Sequence, residues 1–456
     1  MPTARTVMQW TRRGVLGALA AGGAGLVLAG PRRAQDAPSD RVVIDYWEKW
    51  TQDEGRAMQN VVDRFNASQS RIFVRYFSIS DIDRKASIAI AGGSPPDIVG
   101  LWNFNVPGYA TSGAIQPLGD LFESGTLRMD DYAPAVRRLM MHRGTPYALV
   151  NTCGTVGLYY NRKLFKEAGL DPRRPPRTIA ELDEYAAKLA IIEPSGRIER
   201  AGFVHTEPGW WTWFWGQYFG GELYDQPTDR STASSAINTR ACEWVATYPQ
   251  RYGVKNLVAL QAGLGNYGSG QNAFLSGRVA MVLQGPWLAN VIARYAPSLD
   301  YAVAAPPVDE SIYRANEPIS LLDSDVLMLP SGCPHPRESM EFLAFTQRPD
   351  VVEYLSTVHC KNSPLLRASD EFLANHPNRS VSVHGELAAS PRAFIFPRTP
   401  AWPMFRDEME AGFHRIWRLE DSPASVLKKV DVRMQQALDV SRRRLERRRA
   451  ATGGVS

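Results

Sequence analysis

Residues 91–102 have the sequence AGGSPPDIVGLW, in which a helix-stop signal is followed at once by an apolar run. The glycines and prolines end a helical pattern over residues 82–91, and the apolar run predicts a buried strand. Upstream, β-rich runs at 42–47 and 72–76 flank apolar residues at helical spacing over 54–65. The order strand, helix, strand, helix, strand predicts an α/β fold, with a parallel or mixed sheet covered by helices.

The middle of the chain repeats this alternation. A strand is predicted over residues 155–161, followed by a short helix over 162–168. Thr178 and Glu181 form a capping-box pattern, which predicts the start of the next helix. Further on, the pattern predicts a short helix passing into a strand over 273–283, and long amphipathic helices over 405–419 and 425–445.

Tryptophans gather where strand-like runs end. They are Trp47 with Trp50, Trp102, the run from Trp210 to Trp215, and Trp287, with Glu48, Asn103, Asn105 and Gln284 beside them. In α/β sheets, ligands bind beyond the carboxyl ends of strands. An indole ring can stack on the apolar face of a sugar and donate a hydrogen bond. The pattern favours a cleft with aromatic platforms, although a tryptophan-rich core remains the alternative for each ring.

The N-terminus has the three parts of an export signal. Residues 11–16 are TRRGVL, a twin-arginine pattern, and a weakly apolar stretch follows over 15–29. This stretch is too short for a membrane-spanning helix. We therefore expect residues 1–37 to be a twin-arginine signal peptide and the mature protein to be periplasmic.

Charge argues against nucleic acid as a partner. The net charge is +5, and five arginines with one aspartate in residues 1–37 contribute +4, which leaves +1 for the rest. A nucleic-acid-binding domain needs a basic patch of its own. The only candidate is the run from Arg442 to Arg449, which we interpret as the solvated end of a helix.

The four cysteines are too widely spaced for a zinc or redox motif. Two alternatives remain open: a disulfide, for which Cys333 and Cys360 are the first pair to test, and free buried thiols. The seven histidines show no metal-ligand spacing. No metal and no cofactor are predicted.

Gly263, Gly265 and Gly268 match the spacing of a dinucleotide-binding motif. That motif requires a preceding strand, and here the helix-like residues 257–262 precede it. No HExxH or GxSxG motif occurs. Asp323 and Asp325 could be imagined as a glycosidase pair, but carboxylates also recognise hydroxyl groups. We predict that the protein is not an enzyme.

Two longer blocks carry a family resemblance. They are YYNRKLFKEAGL at 159–170 and FLSGRVAMVLQGPW at 274–287, accompanied by AGGSPPDIV at 91–99 and GAIQPL at 113–118. In this order they resemble the extracellular solute-binding proteins of ABC importers, in particular the sugar-binding branch that includes maltose-binding protein. The resemblance covers nearly all of the mature chain.

The resemblance implies the two-lobe periplasmic-binding-protein fold of type II, in which hinged lobes close on a ligand. Each lobe would be a mixed sheet flanked by helices, with chain crossings near 149–152, near 301–306 and after 342–345. The implied N-terminal lobe comprises residues 38–150 and 304–350, and the C-terminal lobe comprises 151–303 and 351–456. A monomer that meets transmembrane permease subunits is expected.

Site residues also follow from the resemblance. Implied ligand contacts are Glu48, Lys49, Trp50, Trp102, Asn103, Asn105, Trp211, Trp213, Trp287 and Trp402. One departure concerns residues 321–325, LLDSD, where many sugar binders have a glycine pair. Asp323 and Asp325 offer carboxylate acceptors there, which suits a hydroxyl-rich or amino-bearing ligand, unless they serve as turn or cap residues.

The implied function is that of a periplasmic receptor that binds a mono- or oligosaccharide and delivers it to an ABC permease. A binder of another polar solute, such as a glycerophosphodiester or a polyamine, is the first alternative. A phosphate ligand would require converging arginines or a helix N-terminus, and the motifs contain little arginine besides Arg398. A secreted carbohydrate-active enzyme is the second alternative.

Overall fold

The structure is a computed structural model that describes Pro38 and residues 40–451. The predicted signal peptide, residues 1–37, lies outside this range. Among the described residues, no helix combines the length and the apolar character needed to cross a membrane.

Strands and helices alternate through most of the chain. The strands are β1 (Val42–Glu48), β2 (Ile72–Ser78), β3 (Ile98–Trp102), β4 (Met141–His142), β5 (Thr145–Pro146), β6 (Leu149–Thr155), β7 (Gly157–Asn161), β8 (Ile191–Ile192), β9 (Ile198–Arg200), β10 (Tyr224–Asp225), β11 (Arg230–Ser231), β12 (Met281–Gln284), β13 (Tyr301–Ala304) and β14 (Leu322–Met328). The α-helices are α1 (Gln52–Ser68), α2 (Ile82–Ala91), α3 (Val106–Thr111), α4 (Gly119–Glu123), α5 (Pro134–Met140), α6 (Arg162–Glu167), α7 (Ile179–Leu189), α8 (Ala236–Tyr252), α9 (Val254–Ala262), α10 (Leu288–Tyr295), α11 (Pro336–Thr346), α12 (Pro349–Val358), α13 (Asp370–Asn375), α14 (Val381–Ala389), α15 (Trp402–Trp417) and α16 (Pro423–Ala451).

The first large sheet has five strands in the order β2-β1-β3-β14-β6. β1 is parallel to β2 and β3, whereas β14 is antiparallel to β3 and β6, so the sheet is mixed as predicted. The paired residues Glu48 and Gly100 bring the carboxyl ends of β1 and β3 to one edge. This register places the polar and aromatic residues that follow both strands side by side.

The second sheet has three antiparallel strands in the order β12-β7-β13. Single parallel bridges, Thr178 with Val308 and Ala201 with Val279, add to it. β7 is buried along its whole length because a neighbour flanks it on each side. The carboxyl end of β12 leads directly into Gly285-Pro286-Trp287.

Each sheet has its own apolar core. The first core contains β1, β3 and β14 side chains, and Val351 and Leu355 of α12 join it. The second core contains β7 side chains together with α8, α15 and α16, and Ile319 joins it. The lobe boundaries remain a prediction, although this core membership favours assigning α12 to the first lobe and the segment around Ile319 to the second.

The chain passes between the sheets in three places. It leaves the first sheet at Thr155 and enters the second at Gly157, and it returns between Ala304 and Leu322. The third passage is a hinge strip, residues 393–396. Its side chains alternate between the cores. Ala393 and Ile395 contact the first core, whereas Phe394 and Phe396 contact the second.

Local sequence signals account for several elements. α2 spans the residues predicted, and the predicted N-cap of α7 is confirmed, since Thr178 Oγ1 accepts a hydrogen bond from the Glu181 amide at 3.2 Å. The Glu181 carboxylate accepts the amide of Arg177 at 2.7 Å instead of that of Thr178, so the reciprocal bond of a capping box is shifted by one residue. The helix predicted within 273–283 is wrong. Asn272 Oδ1 accepts the amides of Phe274 and Leu275 there, which stabilises turns before β12.

The four cysteines are free and buried, so the structure contains no Cys333–Cys360 disulfide. Cys360 Sγ instead lies 2.9 Å from Asn290 Oδ1, and Cys333 Sγ accepts a hydrogen bond from Gln116 Nε2 at 3.5 Å. Of the two alternatives that the sequence left open, the structure supports free thiols.

Candidate functional site

A cleft of about 710 Å³ lies between the two sheets, where the ends of β1 and β3 face the end of β12. Aromatic rings from both sides form its walls, and charged groups form its floor. The described residues that line it are Lys49, Trp50, Thr51, Glu54, Ile79, Ser80, Asp81, Ile82, Asp83, Trp102, Phe104, Gly154, Trp210, Trp211, Trp213, Tyr267, Trp287, Asp323, Ser324, Asp325, Lys361, Phe396 and Arg406.

The tryptophans of the second wall form a contiguous group. The Trp287 ring centroid lies 6.4 Å from that of Trp210 and 6.2 Å from that of Trp211. On the first wall, Trp102 stacks on Phe104 with the rings 5.9 Å apart. Trp210 is the most open of these rings, with 43% of its surface exposed. The cleft therefore offers indole surfaces from opposite sides.

The floor is a buried ion cluster, which we define as Glu48, Lys49, Asp325 and Lys361. Lys49 Nζ lies 3.1 Å from Glu48 Oε1 and 3.0 Å from Asp325 Oδ1, and it donates to the Leu101 carbonyl at 3.3 Å. These contacts match the three N–H groups of an ammonium. Lys49 therefore has no donor left for a ligand.

Lys361 completes the cluster. Its ammonium binds Asp325 Oδ2 and donates to Thr152 Oγ1 at 3.2 Å, and Thr152 donates in turn to Asp325 at 2.8 Å. Gly100 beside Glu48 makes the arrangement possible, because a Cβ atom at this position would collide with the Glu48 carboxylate. The cluster thus joins the end of β1 and the middle of β14 to the segment after α12, and Thr152 adds a contact from the middle of β6.

Two ammonium groups and two carboxylates make the cluster neutral. Burial alone would raise the pKa of Asp325, but the ammonium groups of Lys361 and Lys49 hold it well below its usual range. Asp325 is therefore an ionised internal partner. This corrects the expectation that Asp325 offers a free carboxylate acceptor to a ligand.

The lysines of the cluster also contact the tryptophan rings. Lys49 Nζ lies 5.1 Å from the Trp50 ring centroid and 5.2 Å from that of Trp102. Lys361 Nζ lies 5.8 Å from the Trp287 centroid. Cation–π contacts of this kind hold rings in place. The ion cluster consequently positions aromatic surfaces of both walls.

Of Asp323 and Asp325, Asp323 is the one whose carboxylate keeps an acceptor atom for the cleft. Its Oδ1 atom accepts hydrogen bonds from Asn103 Nδ2 at 2.9 Å and from the Ser324 amide at 2.8 Å. Among the described residues no hydrogen bond to Oδ2 is present, so that atom can accept one from a ligand. Burial, reinforced by the charge of Asp325, raises the pKa of Asp323 to about 7.

Most of the predicted site residues do line the cleft. Trp213 and Trp211 are nonetheless largely buried, so each presents only a small part of its surface. The eight that line it are Lys49, Trp50, Trp102, Trp211, Trp213, Trp287, Asp323 and Asp325. Their contact with a ligand remains a prediction.

Four predicted contacts lie elsewhere. Glu48 is fully buried and accepts a hydrogen bond from the Tyr46 hydroxyl at 2.6 Å. Trp402 is fully buried in the second core, 4.7 Å from the Trp213 ring, because α15 begins there and packs inward. Asn103 holds Asp323 from behind, and Asn105 donates to Asp83 at 2.6 Å. These residues support the cleft rather than line it.

Several cleft residues were missed by the sequence analysis: Glu54, Tyr267, Lys361 and Arg406. Trp210 belonged to the predicted aromatic run, but Trp211 and Trp213 were preferred as contacts. Glu54 lies in the first turn of α1, and its position four residues after Trp50 was an available signal. Lys361 had no local signal. It follows Cys360, whose backbone has a positive φ of 54°, and it reaches the cleft through its long-range pairing with Asp325.

The structure also bears on possible metal sites and on the glycine motif at 263–268. Among the described residues, no group of histidine, cysteine, aspartate and glutamate side chains could hold a metal ion. The glycine motif at 263–268 follows helix α9 and precedes turns, so it lacks the strand that a dinucleotide-binding motif requires.

Comparison with known proteins identifies relatives over most of the chain. Residues 49–353 match the family model described as "Bacterial extracellular solute-binding protein". The maltotriose-binding protein of Pyrococcus abyssi is 23% identical over 366 residues, which cover 79% of this chain and 74% of that protein. The sn-glycerol-3-phosphate-binding periplasmic protein UgpB of Escherichia coli (strain K12) is 29% identical over 174 residues, which cover 37% of this chain and 39% of that protein.

A solved structure of CpMnBP1 with mannotriose bound shares the architecture. It superimposes with a TM-score of 0.75 at 27% identity, covering 86% of this chain and 100% of that chain. The predicted two-lobe fold is thereby confirmed.

Proposed function

This chain belongs to the bacterial extracellular solute-binding proteins, and from that premise we propose that it is the substrate-binding component of an ABC importer that carries a neutral oligosaccharide. The observation that carries this proposal is the pairing of indole surfaces on opposite walls of one cleft above a neutral ion cluster. Apolar sugar faces stack on such rings. Because the ion cluster at the floor is neutral, it does not require a charged ligand.

The relatives support a saccharide. CpMnBP1 is a solved structure with mannotriose bound, and the relative from Pyrococcus abyssi is named for maltotriose. The cleft volume of about 710 Å³ lies within the range of about 300–1,000 Å³ that is usual for small-molecule sites. An affinity in the micromolar range, about −8 kcal/mol, is expected.

The ligand would be collected outside the cytoplasmic membrane. An extracellular family supports an exported protein, and the twin-arginine pattern at residues 11–16 supports the periplasm. The partners in this proposal are the ligand and the permease subunits, with the protein acting as a monomer and without catalysis. A fusion of residues 1–37 to a folded reporter tests the export route, because mutation of Arg12 and Arg13 to lysine should retain the reporter in the cytoplasm.

A phosphorylated ligand is the second candidate, favoured by the similarity to UgpB and by Arg406 in the cleft. Its weakness is that Lys49 is fully occupied within the protein and Lys361 is paired with Asp325. Arg406 alone would have to bind the phosphate.

A thermal-shift panel followed by isothermal titration calorimetry distinguishes the candidates. The probes are mannotriose, maltotriose, sn-glycerol-3-phosphate and spermidine, each added to the mature protein. Stabilisation by a trisaccharide alone is the expected result. Stabilisation only by the phosphate or the polyamine would refute the saccharide proposal. Chromatography of the trisaccharide after prolonged incubation tests the absence of catalysis, since any shortened product would contradict it.

A further inference from the structure

A second cavity, of about 570 Å³, lies between the lobes and shares no lining residue with the cleft. The β4–β5 hairpin and the end of α5 contribute its first side. The segment after the hinge strip, the β10–β11 turn and α16 contribute the other side. Its volume also falls within the range of small-molecule sites.

Arginines dominate this cavity. Arg398 donates to the Asn103 carbonyl at 3.1 Å and to the Met141 carbonyl at 2.6 Å. Its Nε atom is buried and has no hydrogen-bond partner among the described residues. A buried guanidinium N–H without an acceptor is costly unless a ligand or water supplies one.

Arg138 and Arg143 add charge from the first lobe. Arg138 donates to the Ala393 carbonyl at 2.5 Å and forms no ion pair among the described residues. Arg143 is exposed, and no described residue forms a hydrogen bond or an ion pair with it. Three guanidinium groups, counting Arg398, therefore border the cavity without a carboxylate partner.

The backbone that carries Arg143 is unusual for an arginine. β4 and β5 pair on either side of Arg143 and Gly144, whose φ angles are 50° and 85°. This is a two-residue hairpin turn of type I′, in which asparagine and glycine are preferred because both positions need a positive φ. An arginine at the first position keeps a charge at the cavity at the expense of turn propensity.

The acidic groups do not balance the arginines. Asp229 accepts a hydrogen bond from the Tyr224 hydroxyl at 2.8 Å and pairs with Arg442 at 3.6 Å. With Glu446, two carboxylates face four arginines, which leaves a charge of +2. His142 adds nothing at neutral pH, since burial, Arg398 and Arg143 lower its pKa to about 4.

We propose that this inter-lobe cavity binds a small molecule bearing a phosphate or carboxylate group, held by Arg138, Arg143 and Arg398. Guanidinium groups match both oxyanions because their planar forks donate paired, charge-assisted hydrogen bonds. The cationic groups come from both lobes, so one anion would bridge them. The cavity shares no lining residue with the cleft, so the anion would bind in addition to the solute there.

The test is isothermal titration of the mature protein with inorganic phosphate and, separately, with citrate, at constant ionic strength balanced by chloride. Saturable binding of one anion per chain is expected. Arg143→Asn should weaken it about tenfold, since a hydrogen bond to a charged group contributes roughly that much. Asparagine suits the turn, so this variant should fold with an unchanged melting temperature. Arg138→Gln should also weaken binding.

Arg348→Gln is the matched control. It removes an exposed arginine that pairs with Asp350 on the surface of the first lobe, and it should bind the anion as the wild type does. A second variant, Arg406→Gln, tests whether the anion binds in the cleft instead, because Arg406 lines the cleft. No saturable binding of either anion, binding that Arg143→Asn and Arg138→Gln leave unchanged, or binding that Arg406→Gln abolishes would overturn the proposal.

Discussion

Replacement of Asp325 by asparagine should destabilise the protein more than any other single change in the ion cluster. The carboxylate lies between the ammonium groups of Lys49 and Lys361, and only 7% of its side chain is exposed. Asparagine preserves the shape but removes the charge. Lys49 would keep the carboxylate of Glu48, whereas Lys361 would lose the only ion pair that it forms among the described residues.

The expected cost is about 3–5 kcal/mol, because removal of one partner of a buried ion pair leaves an uncompensated charge. A total unfolding free energy of about 5–15 kcal/mol is typical, so this is a large fraction. Asp350 provides a matched control. It also sits between two cations, Arg64 and Arg348, but its side chain is 47% exposed. Asp350→Asn should cost at most about 1 kcal/mol, the usual limit for surface pairs.

Equilibrium unfolding in urea measures the free energy of unfolding of both variants, and the same measurement is repeated at several pH values. The pKa of Asp325 is lower in the folded protein than in the unfolded chain, so its contribution is complete above about pH 4 and is lost as the pH falls further. The difference in the free energy of unfolding between the wild type and Asp325→Asn should therefore become smaller below about pH 4. A cost below about 1 kcal/mol at neutral pH, equal to that of Asp350→Asn, would refute the reasoning about burial.

Three further predictions concern the cleft and the thiols. Trp102→Ala and Trp287→Ala should each weaken ligand binding about tenfold or more in calorimetry while the unfolding free energy changes little; Trp402→Ala should instead cost about 3–5 kcal/mol in urea unfolding, because its ring is core. If all three behave alike, the cleft is misplaced. Ligand affinity should rise as the pH increases through about 7, since Asp323 becomes an ionised acceptor there, and Asp323→Asn should flatten that profile; an unchanged profile would exclude Asp323. The four cysteines are buried free thiols, so a thiol reagent should modify them only after denaturation, and fast modification of the folded protein would contradict their burial.

The α/β class and the order of elements followed from local patterns. α2 stops before Gly92 and Gly93 as the sequence predicted, and Thr178 caps α7 with its hydroxyl oxygen. Both depend on residues close in sequence. The error at 273–280 has the same origin: apolar spacing suggested a helix, but the Asn272 side chain captures the backbone amides that the helix would need.

The site was partly predictable for a related reason. Trp50 and Trp102 follow strands whose ends a parallel sheet must bring together. Trp402 was implied only by the family resemblance, and no local pattern reveals on which side of α15 the core lies. Lys361 was out of reach because its partner Asp325 lies 36 residues away in the chain, and no local pattern links the two.

The hinge strip has a thermodynamic consequence for the whole molecule. Ala393 and Phe396 are buried in the first and second core respectively, and Phe394 and Ile395 are partly buried against the second and first, so neither half can melt without uncovering part of the other. The two halves should consequently lose their structure together on heating, in one calorimetric peak whose calorimetric and van't Hoff enthalpies agree. A protein whose two lobes are expected to open about a hinge in the native state would then unfold as a single cooperative unit.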